Sequence, residues 1–163
     1  MAGIVYGKEQ KIDAKDKKIL KELFLDGRMS VAEVSKRTKI QRDSVARRIK
    51  RMEKEEIITG FVPVINPPAL GLPNIAITMF KIKTDSLENK KKFEEGIVAN
   101  KYSVHISTVI GKYDYVVALV YRDTNHLNQI IEEMKRYIPD FIVDFELFQV
   151  VDEPKFEMMA QLL

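Results

Sequence analysis

Between Lys36 and Lys54 nine basic residues stand against two acidic ones, Asp43 and Glu53. The side-chain types suit a polyanion: arginine pairs bidentately with guanine O6 and N7, glutamine with adenine N6 and N7, and lysine neutralises a phosphate without reading sequence. Spacing matters as much as type. Val45, Ile49 and Met52 recur at four and three residues and so share one stripe of a helix, which turns Asp43, Arg47 and Lys50 to the other side. One face packs and the opposite face is cationic, the footprint expected of a nucleic-acid reader. In isolation such a run reads first as a solvated basic face; its neighbours decide between the two.

Upstream, Asp13 is placed to cap a helix whose apolar stripe is Ile19, Leu20, Leu23 and Phe24, with Gly27 as its stop. Ser30, with Glu33 three residues on, has capping-box spacing and opens a short second helix with Val31 and Val34 inward. A turn at Thr38–Ile40 leads into the basic helix, which ends near Glu55. Two short helices joined by a tight turn, the second carrying the cations, form a helix-turn-helix whose second helix enters the major groove of double-stranded DNA. Its first turns then face base edges through Gln41, Arg42, Asp43, Ser44, Ala46 and Arg47. Arg48, Lys50 and Arg51, on the flanks, meet phosphates. Asp43 repels phosphate unless it accepts from a cytosine amine or orients Arg47 four residues on, and the orienting role is the better fit.

The chain has 163 residues, enough for one ordinary domain or two small ones. Residues 1–60 hold 16 Lys and Arg against 10 Asp and Glu, whereas residues 61–163 hold 11 against 14, so polyanion contact is expected in the first part. There is no cysteine, which excludes disulfides and thiolate chemistry, and the two histidines, His105 and His126, have no recognised metal-ligand spacing. No apolar run is long enough for a membrane span and none resembles a signal peptide, so a cytoplasmic location is expected. Paired carboxylates, a triad and a phosphate-cradling glycine loop are all missing, and with them any basis for a catalytic residue, metal or cofactor.

Met1–Lys11 reads as an arm or a short edge strand. Ile57, Ile58, Phe61, Val62 and Val64 suggest a short strand, and the Pro67–Pro68 pair argues against helix. The expected division is a helix-turn-helix domain at 1–65, a linker at 66–73 and a second module at 74–163. In that module Asn74–Lys83 is strand-like and Ser86–Ala99 helix-like, with Leu87, Phe93, Ile97 and Val98 inward. Val104–Ile110 and Tyr115–Arg122 are strands, followed by a helix with Leu127, Ile130, Ile131, Met134 and Ile138 inward and a last strand from about Phe141 to Val151. The order βαββαβ is the ferredoxin-like arrangement, so the fold class is α+β. One sheet face is left without helices. A second copy is expected to cover it by two-fold symmetry, which also pairs two reading helices for a palindromic site.

The stretch KKILKELFLDGRMSVAEVSKRTKIQRDSVARRIKRMEKEEIITGFVPVINPPALGLP, followed by a βαββαβ unit containing IGKYDYVVALV, resembles the leucine-responsive and asparagine-responsive regulators, the Lrp/AsnC family. The similarity runs over roughly Ile12–Val151. Its most specific pieces are Asp26-Gly27-Arg28, Arg47-Arg48-Ile49 and Gly111-Lys112-Tyr113-Asp114-Tyr115. The resemblance implies a transcription regulator that dimerises through its second module, assembles further to tetramers or octamers, and binds an amino acid at the contact between dimers. Carried over to this chain, Gly111 admits the ligand to the backbone and Asp114 accepts from its α-ammonium. Amides near Lys112 and Tyr113 hold its carboxylate, and Thr108 and Ile110 meet its side chain.

This sequence departs from the family pattern at several positions. Lys39 and Glu56 stand where the family commonly has glycine, Gln41 stands where it has a serine cap, and Asp144 and Glu146 stand where small hydroxyl residues are usual. The last pair points to a basic effector, a different ligand or none. Two other readings are weighed. One is a second module that only oligomerises, with Asp114 as a turn residue bonding its own backbone. The other is a tetrapyrrole decarboxylase on the same architecture, for which His105 is the candidate acid or ligand.

Overall fold

The computed structural model describes residues 7, 9–83, 86–137, 142–156 and 158–163. The chain divides into two compact units, 1–64 with 155–163, and 65–154. Among the described residues no helix is long and apolar enough to cross a membrane.

In the first unit α1 spans Ala14–Leu25, α2 Val31–Thr38 and α3 Arg42–Lys54. Asp13 and Asp16 form a reciprocal capping box at α1, and Ser30 and Glu33 do the same at α2, so the first turns' unpaired amides are satisfied by side chains. Ile19, Leu23, Met29, Val34, Ile40, Val45 and Met52 make one core, with Ile49, Ile57 and Ile58 against it. At Gly27 a Cβ would come within 3.1 Å of Phe61, so glycine is what lets that ring approach.

The end of α3 explains a residue that departs from the family pattern. The Ile57 amide donates to the Met52 carbonyl at 2.8 Å and the Glu56 amide to the Glu53 carbonyl at 3.1 Å. This is a Schellman motif, and it places Glu56 in the left-handed region at φ 56. Lys39, at the end of α2, has φ 57. A side chain costs about 1–2 kcal/mol in that conformation, and glycine returns about 0.5–1 kcal/mol of the gain as extra freedom in the unfolded chain. Glu56→Gly is therefore expected to stabilise the protein by about 0.5–1 kcal/mol. A urea-unfolding midpoint unchanged or lowered in that variant would contradict the strain argument.

The second unit has β1 at Asn74–Ile82, α4 at Leu87–Ala99, β2 at Ser103–Thr108, β3 at Tyr115–Tyr121, α5 at Thr124–Tyr137 and β4 at Ile142–Gln149. The four strands form one antiparallel sheet in the order β2-β3-β1-β4. Alternate residues Ala76, Phe80, Tyr115, Val117 and Leu119 pack with Phe93 and Ile97 of α4 and Leu127, Ile130 and Met134 of α5. Thr78, buried on the same face, donates its hydroxyl to the Val117 carbonyl at 3.1 Å. On the other face Ile77 lies opposite Ala118 and Phe148, and Met79 opposite Val116 and Glu146. That face is apolar at its centre and only half covered.

Several expectations change. Residues 56–66 form no strand, because Ile57 and Ile58 pack into the helical core while Phe61, Val62 and Val64 stay exposed with no ladder to join. Pro67–Leu70 is a 3-10 turn, since proline at the first positions lacks only an amide that the turn leaves unused. Leu87 and Val98 are exposed rather than inward. The last segment, expected in the second module, belongs to the helical unit: the 3-10 turn Met159–Leu162 packs on α1 and Ala160 is buried. Ile138, Phe141 and most of the expected N-terminal arm lie outside the described residues.

Candidate functional site

Because Val45 and Met52 are fully buried, the helix phase of α3 is fixed, and Arg42, Asp43, Ala46, Arg47 and Lys50 are exposed. Gln41, at the N-cap, is exposed and makes no side-chain cap bond, and Ser44 is half-buried. Lys36, Arg37 and Lys39 of the preceding helix and turn are also exposed, Arg37 pairing with Glu22 at 3.3 Å. Among the described residues Arg42, Arg47 and Lys50 form no ion pair, so their charges are available to a ligand. The orienting role expected of Asp43 does not appear either: no pair joins it to Arg47 among the described residues.

Arg48 and Arg51, expected beside them on phosphates, point elsewhere. Arg48 Nη1 reaches Asp13 and Asp16, each at 2.7 Å, and Arg51 Nη2 reaches Asp16 at 2.5 Å. Asp16 is fully buried and the Arg48 side chain is only 19% exposed, so this is an internal clamp between α1 and α3. The physical reason is a carboxylate that the α1 capping box already places at the helix contact, where a cation is needed to balance it. Burial alone would raise the Asp16 carboxyl, but the Asp13 amide and the two guanidiniums outweigh it and hold it below its usual value. Asp13, bonded by the Asp16 and Lys15 amides and by Arg48, is lowered to about 2. Arg48 is raised, by its bonds to Asp16 and Asp13.

The turn between β2 and β3 is the second candidate. Ile110 is fully exposed, Gly111 faces open space and Thr108 is exposed at the strand end. Asp114 is already engaged. Its Oδ2 accepts from the Ile82 amide at 2.9 Å, its Oδ1 pairs with Lys81 at 3.1 Å, and its main chain bonds Phe80 and Val109. Burial opposes its ionisation, yet the Ile82 amide and Lys81 hold its carboxyl below the usual value. The backbone that its carboxylate bonds is the neighbouring strand's, not that of its own turn. Lys112 pairs with Glu146 at 2.8 Å, approaches Asp144 at 4.0 Å and lies over the Tyr113 ring at 4.6 Å. Its ammonium is raised, chiefly by Glu146, and the Glu146 carboxyl is lowered by the same bond. Tyr113 is buried, and its hydroxyl, near Lys112 and Glu146, makes no well-formed hydrogen bond. His105 is exposed on β2 and bonds Ser107 at 2.7 Å.

Known proteins point the same way. Residues 12–53 match the family model described as an AsnC-type helix-turn-helix domain, and residues 75–157 match the Lrp/AsnC ligand binding domain. The proline dehydrogenase transcriptional activator of Rhizobium radiobacter is 30% identical over 132 residues, 81% of this chain and 85% of that protein. The HTH-type transcriptional regulator Ptr1 of Methanocaldococcus jannaschii is 33% identical over 125 residues, 75% and 80% of the two chains. Among solved structures, a Neisseria meningitidis transcriptional regulator in complex with L-Met superposes with a TM-score of 0.83 at 20% identity, covering 94% of this chain and 100% of that one. AsnC of E. coli gives 0.80 at 19% identity, over 93% and 99%.

Proposed function

The chain belongs to the Lrp/AsnC family of DNA-binding transcriptional regulators, and from that premise we propose that α3 is the reading element, with Gln41, Arg42, Asp43, Ser44 and Arg47 toward base edges and Lys50 on phosphate. The observation that carries this reading is the exposed, unpaired state of Arg42, Arg47 and Lys50 on a helix whose other face is locked in the core. Arg48 and Arg51 contribute by holding α3 in place.

A homodimer formed through the half-covered sheet face presents two such helices with two-fold symmetry, and pairs of dimers extend it to a tetramer or octamer. Ile77, Met79, Val116, Ala118 and Phe148 supply the apolar centre of that contact. An amino acid or similar small effector modulates the assembly, bound between dimers at Thr108, Ile110, Gly111, Lys112, Tyr113 and Asp114. The ligand-binding-domain match and the neighbour solved with L-Met support this part. The protein acts in the cytoplasm, and its site performs no catalytic step.

Footprinting and gel shifts on the chain's own upstream DNA test the reading. The expected result is a protected, roughly palindromic site bound ahead of random duplex, with log affinity falling linearly in log salt at about 0.9 per phosphate neutralised. Equal affinity for both duplexes, or a sedimenting complex that holds only one 18.9 kDa chain per palindrome, would count against it.

A further inference from the structure

The charged groups of the β2–β3 turn largely satisfy one another, but those around a second concavity of the same unit do not. This concavity has a volume of about 290 Å³ and lies between one face of α5 and the turn preceding β2. His126, Gln129, Ile130 and Glu133 line one side at helical spacing, and Lys101, Tyr102 and Arg122 the other. The size is at the lower end of the range for small-molecule sites.

The floor is fixed and uncharged. His126 is 4% exposed, its Nδ1 accepts from the Arg122 amide at 3.1 Å, and its ring meets Tyr102 edge to face at 4.4 Å. A ring nitrogen that accepts leaves the proton on the other, so the bond assigns a neutral imidazole with Nε2 protonated. The rim carries the charge. Lys101 extends over the Tyr102 ring at 5.0 Å, and among the described residues neither Lys101, Arg122 nor Glu133 takes part in an ion pair. Two unpaired cations and one unpaired carboxylate around a neutral floor suit a ligand with one group of each sign. A multiply charged anion is disfavoured by Glu133.

We propose that this concavity binds a small zwitterion, its carboxylate held by Lys101 and Arg122 and its ammonium by Glu133. The site is separate from the β2–β3 turn; any effect of its occupancy on DNA affinity rests on the regulator reading above, whereas occupancy itself does not.

The test is the thermal midpoint of the full chain, without DNA, against glycine, L-leucine, L-glutamine and L-lysine in turn, with succinate and inorganic phosphate as anions lacking an ammonium. At saturating concentration at least one amino acid is expected to raise the midpoint by several degrees. Arg122→Gln or Lys101→Gln should weaken that ligand by about tenfold or more. The main-chain amide that Arg122 gives His126 is untouched by the first change. Lys91→Gln, on the exposed side of α4 and in neither site, should leave binding as it was. Glu133→Gln should weaken the amino acid while strengthening succinate, a gain that a misfolded variant does not produce. The proposal is overturned if no probe shifts the midpoint, if phosphate or succinate binds the parent chain as well as the amino acids do, or if the shift survives Arg122→Gln and disappears with Lys112→Gln at the β2–β3 turn. Because DNA is absent from this assay, a failed footprint and a failed titration remain separate results.

Discussion

Asp16→Ala is expected to destabilise the helical unit by about 3–5 kcal/mol, the range for breaking a buried pair from one side. The carboxylate is fully buried and accepts from the Asp13 amide, Arg48 and Arg51. Removing it leaves the half-buried Arg48 with only the exposed Asp13, and it unseats α3 from α1. The cost comes from the under-compensated, half-buried Arg48 more than from the loss of an attractive pair, since the more exposed Arg51 keeps Glu55 at 3.6 Å. A triple variant, Asp16→Leu with Arg48→Met and Arg51→Leu, should accordingly recover most of the loss, since the desolvation penalty goes with the charges. Urea unfolding of the full chain measures both variants. Equal instability in the single and triple variants would show that packing, not charge, is what Asp16 supplies.

The same clamp sets an acid limit. Both carboxyls have folded-state values below their usual ones, with Asp13 at about 2. Groups lowered on folding bind fewer protons in the native state, so their contribution is complete above the ordinary carboxylate range, near pH 4, and is lost as pH falls toward about 2. Wild-type stability should drop across that window, and Asp16→Ala should drop less there because part of the contribution is already absent. Parallel pH profiles for the two proteins would contradict the assignment.

How much of this was readable in the sequence depended on how local its cause was. Capping boxes and a 3.6-residue stripe are set within a few residues, so Asp13, Ser30 and the phase of α3 followed from spacing. The left-handed positions were visible only as departures: Lys39 and Glu56 replace the family's glycines at residues with φ 57 and 56. Arg48 and Lys50 look alike in a basic run, and only Asp13 and Asp16, more than thirty residues away in sequence, turn Arg48 inward. For the same reason Asp114 could be given two roles from its turn, and its bonds to Lys81 and the Ile82 amide, brought in by another strand, left no sign there. Val62 and Val64 have strand composition, but a strand also needs a neighbour, which composition does not supply. The concavity at His126 is assembled from a turn, a strand end and a helix face, and it left no motif at all.

Arg47→Ala is expected to cost about 1–3 kcal/mol on the protein's own operator, about 5- to 150-fold, and to relax base choice at one position. Arg47 is exposed on α3, in its second turn, and among the described residues no carboxylate engages it. On the proposed reading its guanidinium enters the groove with its paired donors free, and it has no internal partner whose loss would compensate the change. Lys50, one turn on and equally exposed, gives the contrast: Lys50→Ala should weaken operator and random duplex alike and reduce the salt slope by about 1. Neither variant removes a core contact, so both should unfold at the parent's urea midpoint. If Arg47→Ala lowered affinity for every duplex in proportion, with the base preference at each operator position intact, Arg47 would be a phosphate contact. The reading face of α3 would then have to be turned toward Arg42 and Ala46.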